Sequence, residues 1–212
     1  MPVRDEALGE IRLKIVFAGT QGAGKASALG SLHRLLGEGC SPMTLARTAC
    51  DQTISFDYRP AQPLIVSGLR ARFRFLTVPG RVHYRGIWQL ALQGVDGLVF
   101  VADSTRARAG DSLAEMRLTF DALGRNGMSP GAVPTVIACN KRDLADTFSP
   151  GEMGQAFAAL APRAPLSETC ALTGEGLLQA LQQLSIAMGI VGRPAPKAAT
   201  AAVDGALAQS VR

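Results

Sequence analysis

Cysteine is scarce in this sequence. Its four cysteines lie far apart at positions 40, 50, 139 and 170, and no two of them form a Cys-x-x-Cys pair. Zinc sites and disulfide frameworks draw on closely spaced or regularly patterned cysteines, so neither is expected here. Free thiols persist in a reducing compartment, and we therefore expect a cytoplasmic protein.

Long apolar runs and membrane addresses are also missing. No stretch of 18 apolar residues could span a bilayer, and the first ten residues, MPVRDEALGE, have no apolar core for secretion. Pro2 occupies the position that N-myristoylation requires to be glycine, and the final residues, AQSVR, contain no prenylation box. We expect neither a membrane span nor a lipid anchor.

Charge of either sign is modest, with a formal net charge of +5 and 18% charged residues. This mild basicity suits a polyphosphate ligand or an acidic partner surface, but it does not predict nucleic-acid binding. The local cluster of positive charge is Arg70, Arg72 and Arg74. A spacing of two places these arginines on one face of a strand, and the spacing favours a solvated strand face.

The chain has 212 residues, of which 47% are apolar, and this suits one α/β domain. Short apolar runs alternate with amphipathic stretches, as in βα units on a mostly parallel sheet flanked by helices. We expect a domain over 11–192, an N-terminal extension at 1–10 and a disordered Ala/Pro-rich tail at 193–212. The predicted strands cover 11–18, 53–59, 69–78 (the last two as a hairpin), 97–102, 133–139 and 166–170. The predicted helices lie near 28–36, 111–124, 150–160 and 175–190.

A phosphate-binding loop is the strongest local signal. Gly19-Thr-Gln-Gly-Ala-Gly24-Lys25 lies between a predicted strand and a predicted helix. Glycines allow successive backbone N–H groups to surround phosphate oxygens, and the helix presents its positive end. Lys25 would then reach the β- and γ-phosphates. Taken alone, the loop is also compatible with an ATPase or with a glycine-rich turn.

The second signal, Asn140-Lys-Arg-Asp143, follows a buried strand directly. The carboxylate of Asp143 can accept both N–H donors of a guanine edge, a pair that adenine lacks. The carboxyl ends of strands are where open α/β sheets bind ligands. Together, the two motifs favour a guanine nucleotide, GTP or GDP, over ATP.

On these motifs the chain resembles the Ras-like superfamily, with its P-loop G domain. Thr77-Val-Pro-Gly80, Gly94–Ser104 and Asn140–Leu144 are further similar to the bacterial gliding-motility and polarity GTPases of the Mgl type, over about residues 10–190. Most small GTPases carry Asp where this chain has Thr77, and Thr at this position is the usage of the Mgl branch itself. The resemblance implies a bacterial cytoplasmic switch that uses GTP/GDP and Mg²⁺, cycles with a roadblock-type regulatory protein and binds polarity or motility effectors.

The resemblance also implies roles for individual residues. Thr53 would sense the γ-phosphate and ligate Mg²⁺, and the backbone N–H of Gly80 would meet the γ-phosphate. Base recognition would involve Asn140, Lys141 and Asp143, and the third guanine loop would place Ala171, with its backbone N–H, and Leu172 at the base. The predicted phosphate contacts are Gly19, Gln21, Gly22, Ala23, Gly24, Lys25, Ala26 and Ser27.

Three positions depart from the family pattern, and all concern the metal or hydrolysis. Ala26 stands where a Ser or Thr ligates Mg²⁺. Arg81 stands where a glutamine orients water, and Gln52 stands where Mgl-type members carry an intrinsic arginine. One interpretation is a nucleotide-binding pseudo-GTPase with deficient hydrolysis; in another, Arg81 and Gln52 are the catalytic residues with exchanged roles. A third is an interaction protein that kept the fold without the ligand.

Overall fold

The computed structural model describes residues 2–47, 52–78 and 85–190. The described strands are β1 (Val3–Asp5), β2 (Glu10–Ala18), β3 (Thr44–Arg47), β4 (Gln52–Tyr58), β5 (Ile65–Val66), β6 (Leu69–Thr77), β7 (Gly97–Asp103), β8 (Thr135–Asn140) and β9 (Leu166–Glu168). The described helices are α1 (Lys25–Leu36), α2 (Arg85–Leu92), α3 (Ala109–Arg125), α4 (Pro150–Ala158) and α5 (Leu177–Ala187).

These strands form one mixed sheet in the order β3-β4-β6-β2-β7-β8-β9. The pairs from β6 through β9 are parallel, whereas β3 and β4 run antiparallel at one edge. The predicted α/β architecture with a mostly parallel sheet is therefore confirmed. The predicted hairpin between 53–59 and 69–78 is confirmed as the antiparallel pair β4–β6.

Helices cover both faces of the sheet, and the pleat of β2 shows how the sequence divides between them. Ile11, Leu13 and Ile15 enter the core beneath α1 and α5. Val16 and Ala18 enter the opposite core beneath α2, α3 and α4. Strands β7 and β8 are buried on both faces, as their unbroken apolar runs predict.

Three short strands were not predicted from the sequence. Two of them, β3 and β5, have four and two residues and pair antiparallel with β4 and β6. The third, β1, lies within the predicted N-terminal extension and pairs antiparallel with the start of β2. The predicted tail, 193–212, lies outside the described residues. No helix in the described part of the chain is both long and apolar enough to cross a bilayer.

Candidate nucleotide-binding site

The predicted phosphate loop connects β2 to α1, at the carboxyl end of the sheet. Gly19 and Gly24 have φ angles of 140° and 100°, which side chains of L-residues rarely adopt. A Cβ at Gly19 would collide with the carbonyl oxygen of Val101, and a Cβ at Gly24 would collide with the amide of Asn140. Both glycines are therefore required by the close approach of the loop to neighbouring strands.

Lys25 is folded back across this loop. Its side-chain ammonium donates to the carbonyl oxygens of Gly19 and Thr20 at 2.7 and 2.8 Å, and the residue is 8% exposed. The hydroxyl of Thr20 is buried and finds no hydrogen-bond partner among the described residues. A concentrated positive charge and an unsatisfied buried hydroxyl in a glycine loop fit a phosphate ligand.

Asn140 joins the phosphate loop to the third guanine loop. Its Nδ2 donates to the carbonyl of Ala23 at 2.7 Å. Its Oδ1 accepts from the backbone N–H of Ala171 at 2.8 Å and from the hydroxyl of Thr169 at 3.3 Å. Since Asn140 is only 2% exposed, this amide is an internal cross-brace. The N–H of Ala171, predicted to meet a base oxygen, would have to share its hydrogen with Asn140.

Lys141 is positioned by a residue for which the sequence suggested no role. Its backbone has φ of 70°, and its ammonium lies 2.7 Å from Oδ2 of Asp103, at the end of β7. Burial alone would raise the pKa of the Asp103 carboxyl, but hydrogen bonds from Lys141 and Thr105 outweigh burial and hold that pKa below its usual value. The signal in the sequence was an acidic residue ending an otherwise apolar strand.

The predicted guanine-reading carboxylate, Asp143, lies at the exposed rim of the site. The thiol of Cys170, which is 4% exposed, donates to Oδ1 of Asp143 at 3.4 Å. Leu172, also predicted to lie at the base, is 70% exposed. The carboxylate therefore has one protein contact that orients it and remains open to a ligand.

The residues predicted to lie near Mg²⁺, which we call the metal side of the site, offer few side-chain oxygens. Ala26 and Ser27 are exposed in the first turn of α1, and only Ser27 has a side-chain oxygen. Thr53 lies in β4 and is half-buried. Thr77, 2% exposed at the end of β6, accepts a hydrogen bond from the N–H of Ile54 at 3.0 Å. Its hydroxyl thus fastens β4 to β6.

The described residues contain no group of three or more His, Cys, Asp or Glu side chains that could hold a metal ion. Gly80 and Arg81, with their predicted γ-phosphate and catalytic roles, lie outside the described residues. Gln52 begins β4, and its side chain also lies outside the description.

Helix α3 contributes two residues near the phosphate loop that sequence reasoning missed. Arg108, just before the helix, donates to the carbonyl of Gln21 at 3.2 Å and to Asp111 at 2.6 Å. Glu115 is 6% exposed, and its burial raises its pKa to about 7, an effect that the charge of Lys25 partly opposes. A buried acid on an amphipathic helix gives no signal in a single sequence.

Comparison with known proteins agrees with this geometry. The model of the ADP-ribosylation factor family matches residues 5–188. The Mutual gliding-motility protein MglA of Myxococcus xanthus is 33% identical over 83% of this chain and 90% of its own length. ADP-ribosylation factor-like protein 6 of Caenorhabditis briggsae is 31% identical over 53% of this chain and 60% of its own length. Human ADP-ribosylation factor-like protein 4A is 32% identical over 53% and 56%, respectively.

The matched span includes the phosphate loop, the Asn140–Asp143 motif and the third guanine loop, and the resemblance to Mgl-type GTPases is confirmed. Family membership implies guanine nucleotide and Mg²⁺ as ligands. The chain therefore belongs to the ADP-ribosylation factor family of Ras-like small GTPases.

Proposed function

We propose that this small GTPase is a guanine-nucleotide switch of the bacterial motility and polarity type that hydrolyses GTP slowly or not at all. The observation that carries the proposal is the contrast between two positions at the carboxyl end of the phosphate loop, Ala23 and Ala26. Asn140 holds the carbonyl of Ala23 and connects the loop to the N–H of Ala171. Ala26, three residues later, offers no side-chain ligand atom to a metal.

Binding of the nucleotide would use groups that are already held in position. Phosphates would draw the ammonium of Lys25 away from the two carbonyl oxygens that now hold it. The backbone N–H groups around Gly22 and Gly24 would complete the contact. Asp143, oriented by the thiol of Cys170, would accept the two N–H donors of guanine.

The residues present fit Mg²⁺ poorly, and we infer a weakened metal site. Ala26 lacks an oxygen, and Ser27 points about 100° away around the helix. The hydroxyl oxygen of Thr77, a residue shared with the Mgl branch, already accepts from the backbone N–H of Ile54. Thr53 is then the remaining predicted side-chain ligand, from within β4.

Hydrolysis would be limited by the side chains at positions 81 and 52 as well as by the metal site. A guanidinium has five donors and no acceptor, so Arg81 cannot hold a water by accepting its proton. Arg81 could instead neutralise charge while Gln52 orients water. An arginine that neutralises transition-state charge raises the rate about 10³–10⁵-fold. Exchanged roles of Arg81 and Gln52 are therefore the alternative that a measurement of GTP turnover must test.

The biological role rests on the similarity to MglA, whose name records gliding motility. We extend from it a roadblock-type regulatory partner, polarity or motility effectors and a place in the bacterial cytoplasm. The test of hydrolysis therefore includes a roadblock-type protein.

The test is to purify the protein, identify any co-purified nucleotide by chromatography, and measure phosphate release from GTP. Release is measured with and without Mg²⁺, and with and without a roadblock-type protein. Asp143→Asn is the control, because it removes the guanine acceptor without touching the phosphate loop. We expect the protein to bind GTP and GDP, Asp143→Asn to bind neither tightly, and release to stay near the uncatalysed rate.

Partner-stimulated phosphate release would overturn the deficient switch and favour the exchanged roles of Arg81 and Gln52. Absence of guanine-nucleotide binding in the unmodified protein would overturn the switch altogether and favour an interaction protein.

A further inference from the structure

One face of the sheet carries five cations, four arginines and one lysine. Residues Arg12 and Lys14 of β2 alternate with core residues, as do Arg70, Arg72 and Arg74 of β6. We call these five residues the basic sheet face. On this side the helical core begins only at Val16 of β2 and Leu76 of β6. Lys14 is half-buried, and its ammonium donates to the carbonyl of Gln93, just after α2, at 2.8 Å; the open part of the face is formed by the arginines.

Strand register brings like charges side by side. Arg12 is the Cα partner of Arg72, and Lys14 is the partner of Arg74, on adjacent parallel strands about 4.8 Å apart. Like charges directly opposite each other destabilise a sheet. Burial first, and then the charge of Arg74, lower the pKa of Lys14. The register also sets unlike charges side by side, since Glu10 is the Cα partner of Arg70 and Asp57 is the Cα partner of Arg74.

Acidic neighbours neutralise only part of this charge. Arg72 lies 2.8 Å from Asp57 and 4.0 Å from Glu10, and Arg59 lies 3.2 Å from the same Glu10. Three exposed arginines of the face have no ion-pair partner among the described residues: Arg12, Arg70 and Arg74. Three guanidinium groups, each able to bind a carboxylate with two hydrogen bonds, thus face solvent.

We propose that the basic sheet face is a docking surface for an acidic, extended segment of a partner protein. Residues two apart on a strand are about 6.8 Å apart, which matches carboxylates at alternate positions of an extended peptide. Glu10 and Asp57 are interspersed among the cations. They would repel a uniformly anionic surface such as a bilayer, whereas discrete carboxylates can fit between them.

The experiment measures binding of a fluorescent ten-residue peptide with glutamate at alternate positions by anisotropy. A second peptide carries glutamine in place of each glutamate. The test variant is Arg12→Gln with Arg74→Gln. Its matched control is Arg117→Gln with Arg125→Gln, which removes the same charge from exposed positions on α3. We expect the test variant to bind the acidic peptide at least about tenfold more weakly and the control to bind like the unmodified protein.

Equal weakening in both double variants would mean a net-charge effect and would overturn the proposal. So would equal binding of the glutamine peptide, or no binding of the acidic one. Binding of the protein to vesicles containing phosphatidylserine, with loss in the test variant but without peptide binding, would assign the face to a membrane instead.

Discussion

The base side and the metal side of the candidate site are built from the same loop but differ in how the chain holds them. On the base side, Asn140 alone makes three buried hydrogen bonds, and Lys141 and Asp143 each have a protein contact. On the metal side, Ala26 makes no side-chain polar contact, and Thr77 is committed to a strand. If these predicted roles hold, nucleotide recognition and GTP hydrolysis are separable, and substitutions can test each side by itself.

The largest effect is expected on the base side, from Asn140→Ala. It leaves the carbonyl of Ala23 and the N–H of Ala171 without their partner in a buried setting, which should cost about 4 kcal/mol of unfolding free energy. Guanine-nucleotide affinity should fall about a thousandfold. Denaturant unfolding and calorimetry measure the two quantities. Asn126→Ala is the control, since that amide makes one exposed hydrogen bond to Gln89; a similar loss in both variants would contradict the cross-brace.

Behind the phosphate loop, Glu115 should make stability depend on pH. Its pKa in the folded protein is about 7, against an ordinary value of 4.5, because the carboxyl is buried. The folded state holds the proton more tightly, so this stabilisation is full below about pH 4.5 and is lost as pH rises through 7. The loss is about 3 kcal/mol.

Glu115→Gln should therefore unfold with a weaker decline in stability between pH 5 and 8 than the unmodified protein, as measured by urea titration at each pH. Asp121→Asn, an exposed position on the same helix, serves as the control. Parallel pH profiles for the Glu115 variant and the unmodified protein would show that the carboxyl is not held neutral.

On the metal side, Ala26→Thr should increase the magnesium-dependent affinity for nucleotide. A hydroxyl in the first turn of α1 supplies the missing oxygen, and we expect magnesium-dependent nucleotide affinity to rise about tenfold. Ala26→Val has nearly the same shape and no oxygen, so it isolates the ligand atom. An equal response in both variants, or none in Ala26→Thr, would mean that Ser27 or the backbone already holds the ion.

The smallest expected effect concerns the thiol that orients Asp143. Cys170→Ala removes that hydrogen bond and should weaken GDP binding about threefold, whereas Cys170→Ser should retain it. Competition with adenosine diphosphate reports the base preference, which a packing defect alone would leave unchanged. A loss of affinity in the serine variant as large as in the alanine variant would contradict the orienting role.

The α/β fold was predictable because its long elements obey simple periodicity. Local patterns in the sequence include the unbroken apolar runs of β7 and β8. The phosphate loop between β2 and α1 is another. The short strands β1, β3 and β5 were missed because two to four residues carry no period. Their pairing depends on neighbours distant in sequence.

In the candidate site, the motif residues could be predicted from the sequence because each motif is contiguous. Asp103, Arg108 and Glu115 were missed because their importance arises from contacts across the fold, with Lys141, Gln21 and Lys25, respectively. The roles assigned to Thr53, Gly80, Arg81 and Gln52 remain predictions.

The cross-brace at Asn140 has a thermodynamic consequence for exchange of the ligand. Because one buried amide fixes two loops to each other, little chain entropy remains to be lost when a nucleotide settles between them. Affinity is then determined mainly by the contacts themselves. A regulator that releases the nucleotide would act most effectively by displacing the Asn140 side chain. One displacement would break the contacts to both Ala23 and Ala171 and so loosen the phosphate loop and the base site together.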